Sequence, residues 1–198
     1  MKVLAWVAVA SMLALPAAAE TYKVEYRHTS AQFVYEHFGM SHPSGKIMGA
    51  TGSLVLDWEH PENSTIDTTL DMTTLTTAFP EFDTLLKGEK YFDVAQFPTA
   101  TFKSTSVVMT GEPLAADADP TAGPRTAKVT GDLTVHGVTQ SVVLDVTFNK
   151  KAFNPALFKT GVGFTGTTHL SRKAFGLDNL EPFVGDGIDL VIELEAYP

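Results

Sequence analysis

Cysteine is absent from this 198-residue chain, which excludes a disulfide framework, thiol chemistry and thiolate metal sites. Basic residues are few. The 14 Lys and Arg stand against 23 Asp and Glu, a formal net charge of −9, and that balance argues against nucleic acid and against adsorption to anionic membrane faces. Its plainest meaning is solubility. No run after Leu15 approaches the roughly 20 apolar residues of a spanning helix. Helical periodicity is scarce, and HExxH, GxSxG and P-loop patterns are all missing. Gly161-Val162-Gly163-Phe164-Thr165-Gly166 satisfies GxGxxG, but its alternation continues into His169 and Leu170 and opens no helix, so it is not a dinucleotide fingerprint.

At the N-terminus, Lys2, the apolar run Val3 to Leu15, Pro16 and Ala17-Ala18-Ala19 reproduce the charged, greasy and small-residue zones of a secretory signal peptide. Cleavage after Ala19 is expected, with residues 20–198 forming one exported domain that loses the charge of Lys2; an uncleaved anchor is the alternative. That length suffices for a real core without staples.

Period-two alternation recurs from end to end, the pattern of strands with one buried face. It is clearest in Ile66, Thr68, Leu70, Met72, in Val142, Leu144, Val146, Phe148 and in Ile188, Leu190, Ile192, Leu194, each interleaved mainly with polar residues. Weaker alternation marks Tyr22 to Tyr26, Gln32 to Phe38, Gly52 to Trp58, Thr99 to Val108, Thr126 to Val135 and Val162 to Leu170. About eight antiparallel strands follow, separated by turn signals such as Gly49, His60-Pro61-Glu62-Asn63 and Gly137. Pro80 to Gly88 is predicted to be a short helix, with Pro in its first turn and Gly as its stop. A further helical turn is expected around Asn154 to Phe158. Gly111 to Arg125, rich in Pro, Ala, Gly and Asp, reads as an exposed loop rather than a domain boundary. Closing eight strands into a barrel removes the sheet edges, and that number leaves an interior either filled by side chains or able to hold one small ligand. Periodicity does not choose between these, and a two-sheet sandwich stays open.

Several segments carry a more specific signal. These are His28-Thr29-Ser30-Ala31-Gln32-Phe33 with His37, the block Leu85 to Phe102 containing Lys90-Tyr91-Phe92-Asp93-Val94-Ala95-Gln96-Phe97-Pro98, then Gly131-Asp132-Leu133-Thr134-Val135-His136-Gly137-Val138-Thr139, and Leu170-Ser171-Arg172-Lys173-Ala174-Phe175-Gly176-Leu177. In that order they resemble the signature stretches of the YceI-like family, bacterial periplasmic proteins of lipocalin-like fold that bind polyisoprenoid lipids. Lys173 departs from the acidic or small polar residue common there, and the Gly111–Arg125 loop is longer than in many members.

The resemblance implies an all-β, lipocalin-like closed antiparallel barrel with one short internal helix, located in the periplasm. It implies an apolar tunnel for a polyprenyl chain or an isoprenoid quinone, no cofactor beyond that lipid, and no covalent chemistry. It also points to roles around quinone handling or envelope stress, and leaves a homodimer open. On strand parity, lining positions are expected at Phe33, Tyr35, Leu70, Phe102, Leu133, Val135, Val146, Phe148 and Phe164, because successive side chains alternate between faces. Phe79, Phe82, Leu85, Leu86, Phe92 and Phe97 flank the helix and are expected to form a cap or mouth. His37 shares parity with Phe33 and Tyr35 and is a candidate donor to a polar head group. Without the resemblance, the same thirteen phenylalanines read as ordinary core.

His28, His37, His42, His136 and His169 are scattered without ligand spacing, so structural roles are expected for them rather than metal binding. A periplasmic hydrolase or isomerase acting on a hydrophobic substrate is the alternative function, since carboxylates far apart in sequence leave no local motif. Asn63-Ser64-Thr65 fits a glycosylation sequon, which the resemblance to a bacterial family makes incidental.

Overall fold

Alternation of apolar and polar residues produces ten strands in a computed structural model that describes residues 19–111, 119, 121, 125–180 and 182–198. The expected signal peptide up to Ala18, and most of the Gly111–Arg125 segment, lie outside the described residues. The strands are β1 (Glu20–Val24), β2 (Ser30–His37), β3 (Ser44–Met48), β4 (Ala50–Leu56), β5 (Thr65–Asp71), β6 (Thr99–Met109), β7 (Arg125–Val135), β8 (Val138–Asn154), β9 (Lys159–Ser171) and β10 (Val184–Tyr197). Among the described residues one α-helix, α1 (Pro80–Lys87), interrupts them.

All neighbours pair antiparallel, in the order β1-β4-β5-β6-β7-β8-β9-β10-β2-β3. Both β1 and β2 lie along the same edge of β10. Val24 pairs with Ala196 at its far end, while β2 runs from His37 opposite Val184 to Ser30 opposite Glu193. Thus β1 and β2 are two halves of one stave, and β3 and β4, their partners, are halves of the next. The first break is shaped by Glu25, whose carboxylate accepts from the Arg27 and His28 amides at 2.9 and 2.7 Å. The second falls at Gly49, whose φ of +78° admits no ordinary side chain and where a Cβ would meet the Tyr26 ring at 2.6 Å. Counted this way, eight staves close on themselves. Beyond β3 the ring is completed by a bridge in which the Lys46 and Thr76 backbones exchange hydrogen bonds of 2.7 and 2.9 Å. The barrel reading holds, and the sandwich is excluded.

Three differences from the sequence reading have local causes. β3, Ser44–Met48, was not anticipated, because Ser44-Gly45-Lys46 offers little apolar signal; Gly45 is there because the Phe33 ring lies across it, 2.2 Å from where a Cβ would stand. Asn154 to Phe158 is a hairpin turn rather than helix. The Asn154 side-chain oxygen accepts from the Ala156 amide at 2.9 Å, and Phe158 takes a left-handed φ of 54°. Finally, β5 ends at Asp71 and Met72–Thr74 turns as a 3-10 segment, its start capped by the Asp71 carboxylate accepting from Thr73 N.

The helix forms where it was expected, with Pro80 in its first turn and Gly88 as C-cap. Asp83 also anchors it from within, accepting from both Thr76 Oγ1 and Thr77 Oγ1 at 2.7 Å. These bonds hold the Asp83 carboxyl below its usual value, those of Thr77 first. Its inner face, Phe82 and Leu86, packs over Met72, Leu75 and Val94. Among the described residues no helix is long and apolar enough to cross a membrane.

At the opposite end β1 is tied down by charge. The buried Tyr22 hydroxyl donates to the Glu20 carboxylate, which also accepts from Lys151 Nζ at 3.0 Å, and Lys151 in turn lies 5.1 Å over the Trp58 ring. The Tyr22 bond, opposed by partial burial and helped by Lys151, holds the Glu20 carboxyl below the ordinary 4.5. A lowered folded-state value means that this contribution is fully present above the unfolded value and is lost as pH falls through the folded one. Thermal midpoints should therefore drop on acidification below about pH 4.5, and a Glu20→Gln variant should flatten the part of that fall due to this group. An identical acid limb in the variant would show that the cluster carries no stability.

Candidate functional site: an apolar interior in two compartments

The inward faces of the staves do not fill the barrel. A cavity of about 250 Å³ opens beneath α1 and a second of about 140 Å³ follows it toward Trp58. Ile66, Phe102, Leu144, Ile192 and Leu194 border both, so they form a waist between two compartments stacked along the axis. Along β10 the lining runs from Val184 to Leu194, a path of roughly 25 Å at ~3.3 Å per residue and a strand tilt near 40°. Small inward residues create the space. Ala31, Ala50 and Ala100, 4%, 1% and 5% exposed, stand where a larger side chain would reach across.

The expected lining residues divide into groups. Phe33, Tyr35, Leu70, Phe82, Phe92, Phe102, Leu133 and Val135 border the larger cavity, with Leu86 beside them. Val146, Phe148 and Phe164 border the smaller one, where the Phe148 ring sits 5.3 Å from both Trp58 and Phe164. His37, Phe79, Leu85 and Phe97 border neither. His37 has inward parity but is the last residue of β2, past the cavity, with its ring edge against Phe38 at 4.5 Å. Phe79, the N-cap residue of α1, and Leu85, on the helix itself, are 61% and 47% exposed. Phe97 packs instead against His136 at 4.9 Å and over Gly137, buttressing the left-handed β7–β8 turn.

Other lining residues carried no alternation signal because they lie outside strands. Arg172, Leu177, Asn179 and Leu180 belong to the segment between β9 and β10, and with Tyr91 and α1 they frame the open end of the larger cavity. Arg172 organises this segment. Its guanidinium donates to the carbonyls of Gly185 (2.9 Å), Asn179 (2.8 Å), Val184 (2.8 Å) and Leu177, while the Asn179 amide donates to the Lys90 carbonyl. The motif Ser171-Arg172-Lys173 could have flagged it, since an arginine just past a strand end is well placed to collect loop carbonyls.

Histidines elsewhere have local partners. His28 Nδ1 lies 2.8 Å from the Glu25 carboxylate and His169 Nδ1 lies 2.7 Å from that of Asp189. Among the described residues no group of three or more His, Asp or Glu side chains is arranged to hold a metal ion. The GxGxxG stretch lies wholly within β9.

A closed meander of eight staves around an apolar, divided interior defines a barrel of the lipocalin-like type with room for a small ligand. Residues 22–196 match the YceI-like domain, and the chain belongs to that family. A UPF0312 protein of Pseudomonas savastanoi pv. phaseolicola is 34% identical over 172 residues, covering 87% of this chain and 82% of the relative. Among solved structures, Burkholderia cenocepacia BcnA superposes with a TM-score of 0.67 at 19% identity, covering 84% of this chain and 95% of that one. A polyisoprenoid binding domain from Saccharophagus degradans, implicated in plant cell wall breakdown, gives a TM-score of 0.66 at 13% identity, with coverages of 89% and 97%.

Proposed function

We propose that this protein is exported to the periplasm and there holds an isoprenoid lipid, a polyprenyl chain or the tail of an isoprenoid quinone, within the barrel without covalent chemistry. The observation that carries the reading is the pair of apolar compartments stacked along the axis. A flexible chain suits such a shape better than a compact ligand. Burial contributes about 0.8 kcal/mol per CH₂, or roughly 4 kcal/mol gross for each five-carbon unit, so a few units offset the cost of association. Membership of the YceI-like family, and the polyisoprenoid-binding description of the Saccharophagus degradans neighbour, support the same reading. Among the described residues, the larger cavity has no Asp, Glu or His in its lining, which favours a holder over an acid–base catalyst.

The test is native mass spectrometry of the mature protein with extraction of any bound lipid, followed by titration with prenyl chains of increasing length. Affinity should rise at least about tenfold per added unit until both compartments are full. Trp58, the only tryptophan after residue 6, borders the second compartment, so its fluorescence should respond only to chains long enough to pass the waist. Equal affinity for short and long chains, or an empty protein that takes up none of them, would reject the proposal.

A further inference from the structure

The polar groups that border the larger cavity are mostly spent on the protein itself. Thr29 Oγ1 donates to the Glu195 carbonyl at 3.3 Å and Thr68 Oγ1 to that of Phe102 at 3.5 Å. Tyr35 differs. It is 9% exposed, lies on the inward face of β2 opposite Ile188, stacks against Phe33 at 6.5 Å, and its hydroxyl has no hydrogen-bond partner among the described residues. The hydroxyl oxygen keeps accessible surface on the cavity side, so it is free to bond a ligand there without being left dry in its absence. Burial also pushes the Tyr35 hydroxyl above its usual pKa, so it stays protonated and able to donate.

On the other side of β10, Arg172 borders the same end of the cavity. Its hydrogen bonds go to four carbonyls, using four of the five guanidinium N–H groups and leaving one on Nη2. No carboxylate lies within ion-pair distance of it among the described residues. Two donors, one of them cationic, thus flank the start of β10 at the open end, while the waist and the Trp58 compartment beyond it are lined largely by apolar side chains.

We propose that this end is a head-group subsite, in which the Tyr35 hydroxyl donates a hydrogen bond to an acceptor oxygen of the bound isoprenoid, beside the positive charge of Arg172. The ligand class follows from the chemistry: a prenyl chain whose head accepts without needing to donate, either a quinone carbonyl or a phosphate oxygen. The arrangement also sets polarity, with the head under α1 and the tail threaded through the waist toward Trp58. It replaces His37, outside the cavity, with Tyr35, inside it. The inference rests on the isoprenoid-binding reading above.

Tyr35→Phe keeps the ring and removes only the unpartnered hydroxyl, so the thermal midpoint of the apo variant should stay where it is. Binding of an isoprenoid quinone, a polyprenyl phosphate and squalene, matched as closely as possible in isoprene units, is then measured on both proteins. The native protein should bind at least one of the headed lipids more tightly than squalene. Tyr35→Phe should weaken that lipid by about three- to tenfold, the worth of one hydrogen bond, and leave squalene unchanged. Whichever headed lipid shows the loss identifies the carbonyl or the phosphate as the natural head. If squalene binds the native protein as well as both headed lipids do, or if all three weaken together in the variant, the subsite is overturned while the tunnel stands. If none of the three binds, both readings fall.

Discussion

Ala100→Phe should lower affinity for a long prenyl chain by about a hundredfold or more, while leaving the empty protein at least as stable as the native one. Ala100 is 5% exposed on β6, opposite Leu70, and borders the larger cavity just on the α1 side of Phe102 at the waist. A phenyl ring there occupies the path between the compartments and displaces about one five-carbon unit, worth roughly 4 kcal/mol gross of apolar burial. Overpacking a filled core usually costs about 1–3 kcal/mol. Here the ring enters a space of about 250 Å³, and filling an apolar void contributes about 0.5–2 kcal/mol instead. Titration calorimetry and thermal unfolding check the two halves separately. Val143→Phe is the control, because Val143 points outward on β8 and is 44% exposed, so binding should not change. Native affinity in a stable Ala100→Phe protein would place the chain outside the barrel.

How much of this was legible beforehand depended on where each residue sits. Period-two alternation located the inward faces of β5, β8 and β10, since a strand that is apolar on one face and polar on the other admits one register. The same reasoning placed Phe33, Tyr35, Phe102 and Phe148 inside. It failed at His37 because parity gives direction and not depth: the residue faces inward only after the cavity has ended. Parity says nothing of Phe79, Phe82, Leu85, Leu86, Phe92 and Phe97, which flank the helix outside any strand; of these Phe82, Leu86 and Phe92 border the cavity and Phe79, Leu85 and Phe97 do not. Phe97 is used to cover the Gly137 turn, a contact between segments that no local pattern announces. The division into two compartments was likewise hidden. It depends on Ile66, Phe102, Leu144, Ile192 and Leu194 meeting across the barrel, and their separations in sequence carry no trace of that meeting. β3 escaped notice because Gly45 contributes a gap for the Phe33 ring rather than a side chain of its own.

Arg172 poses the sharpest case of a residue whose role appears only in three dimensions. Arg172→Met should cost about 3 kcal/mol of stability, concentrated in the segment from Leu177 to Val184. The guanidinium satisfies four backbone carbonyls there. Hydrogen bonds from a charged donor contribute about 1.5–3 kcal/mol each, discounted because water can reach part of this rim once the segment loosens. Methionine fills the stem's volume and donates nothing, so the carbonyls must turn to solvent and the segment must leave the cavity edge. Arg172→Lys should recover less than half of the loss, since one ammonium group cannot fan out to four acceptors as a planar guanidinium does. Hydrogen exchange should then accelerate at Leu177 to Val184 and at Lys90 to Val94, which the Asn179 bond to the Lys90 carbonyl links to it, while amides in the middle of β7, β8 and β9 keep their protection. The same variant should release a bound prenyl chain faster, because Leu177, Leu180 and Tyr91 close one end of its compartment. Unchanged exchange in both segments would mean that the carbonyl fan is incidental and that the mouth is held by α1 alone.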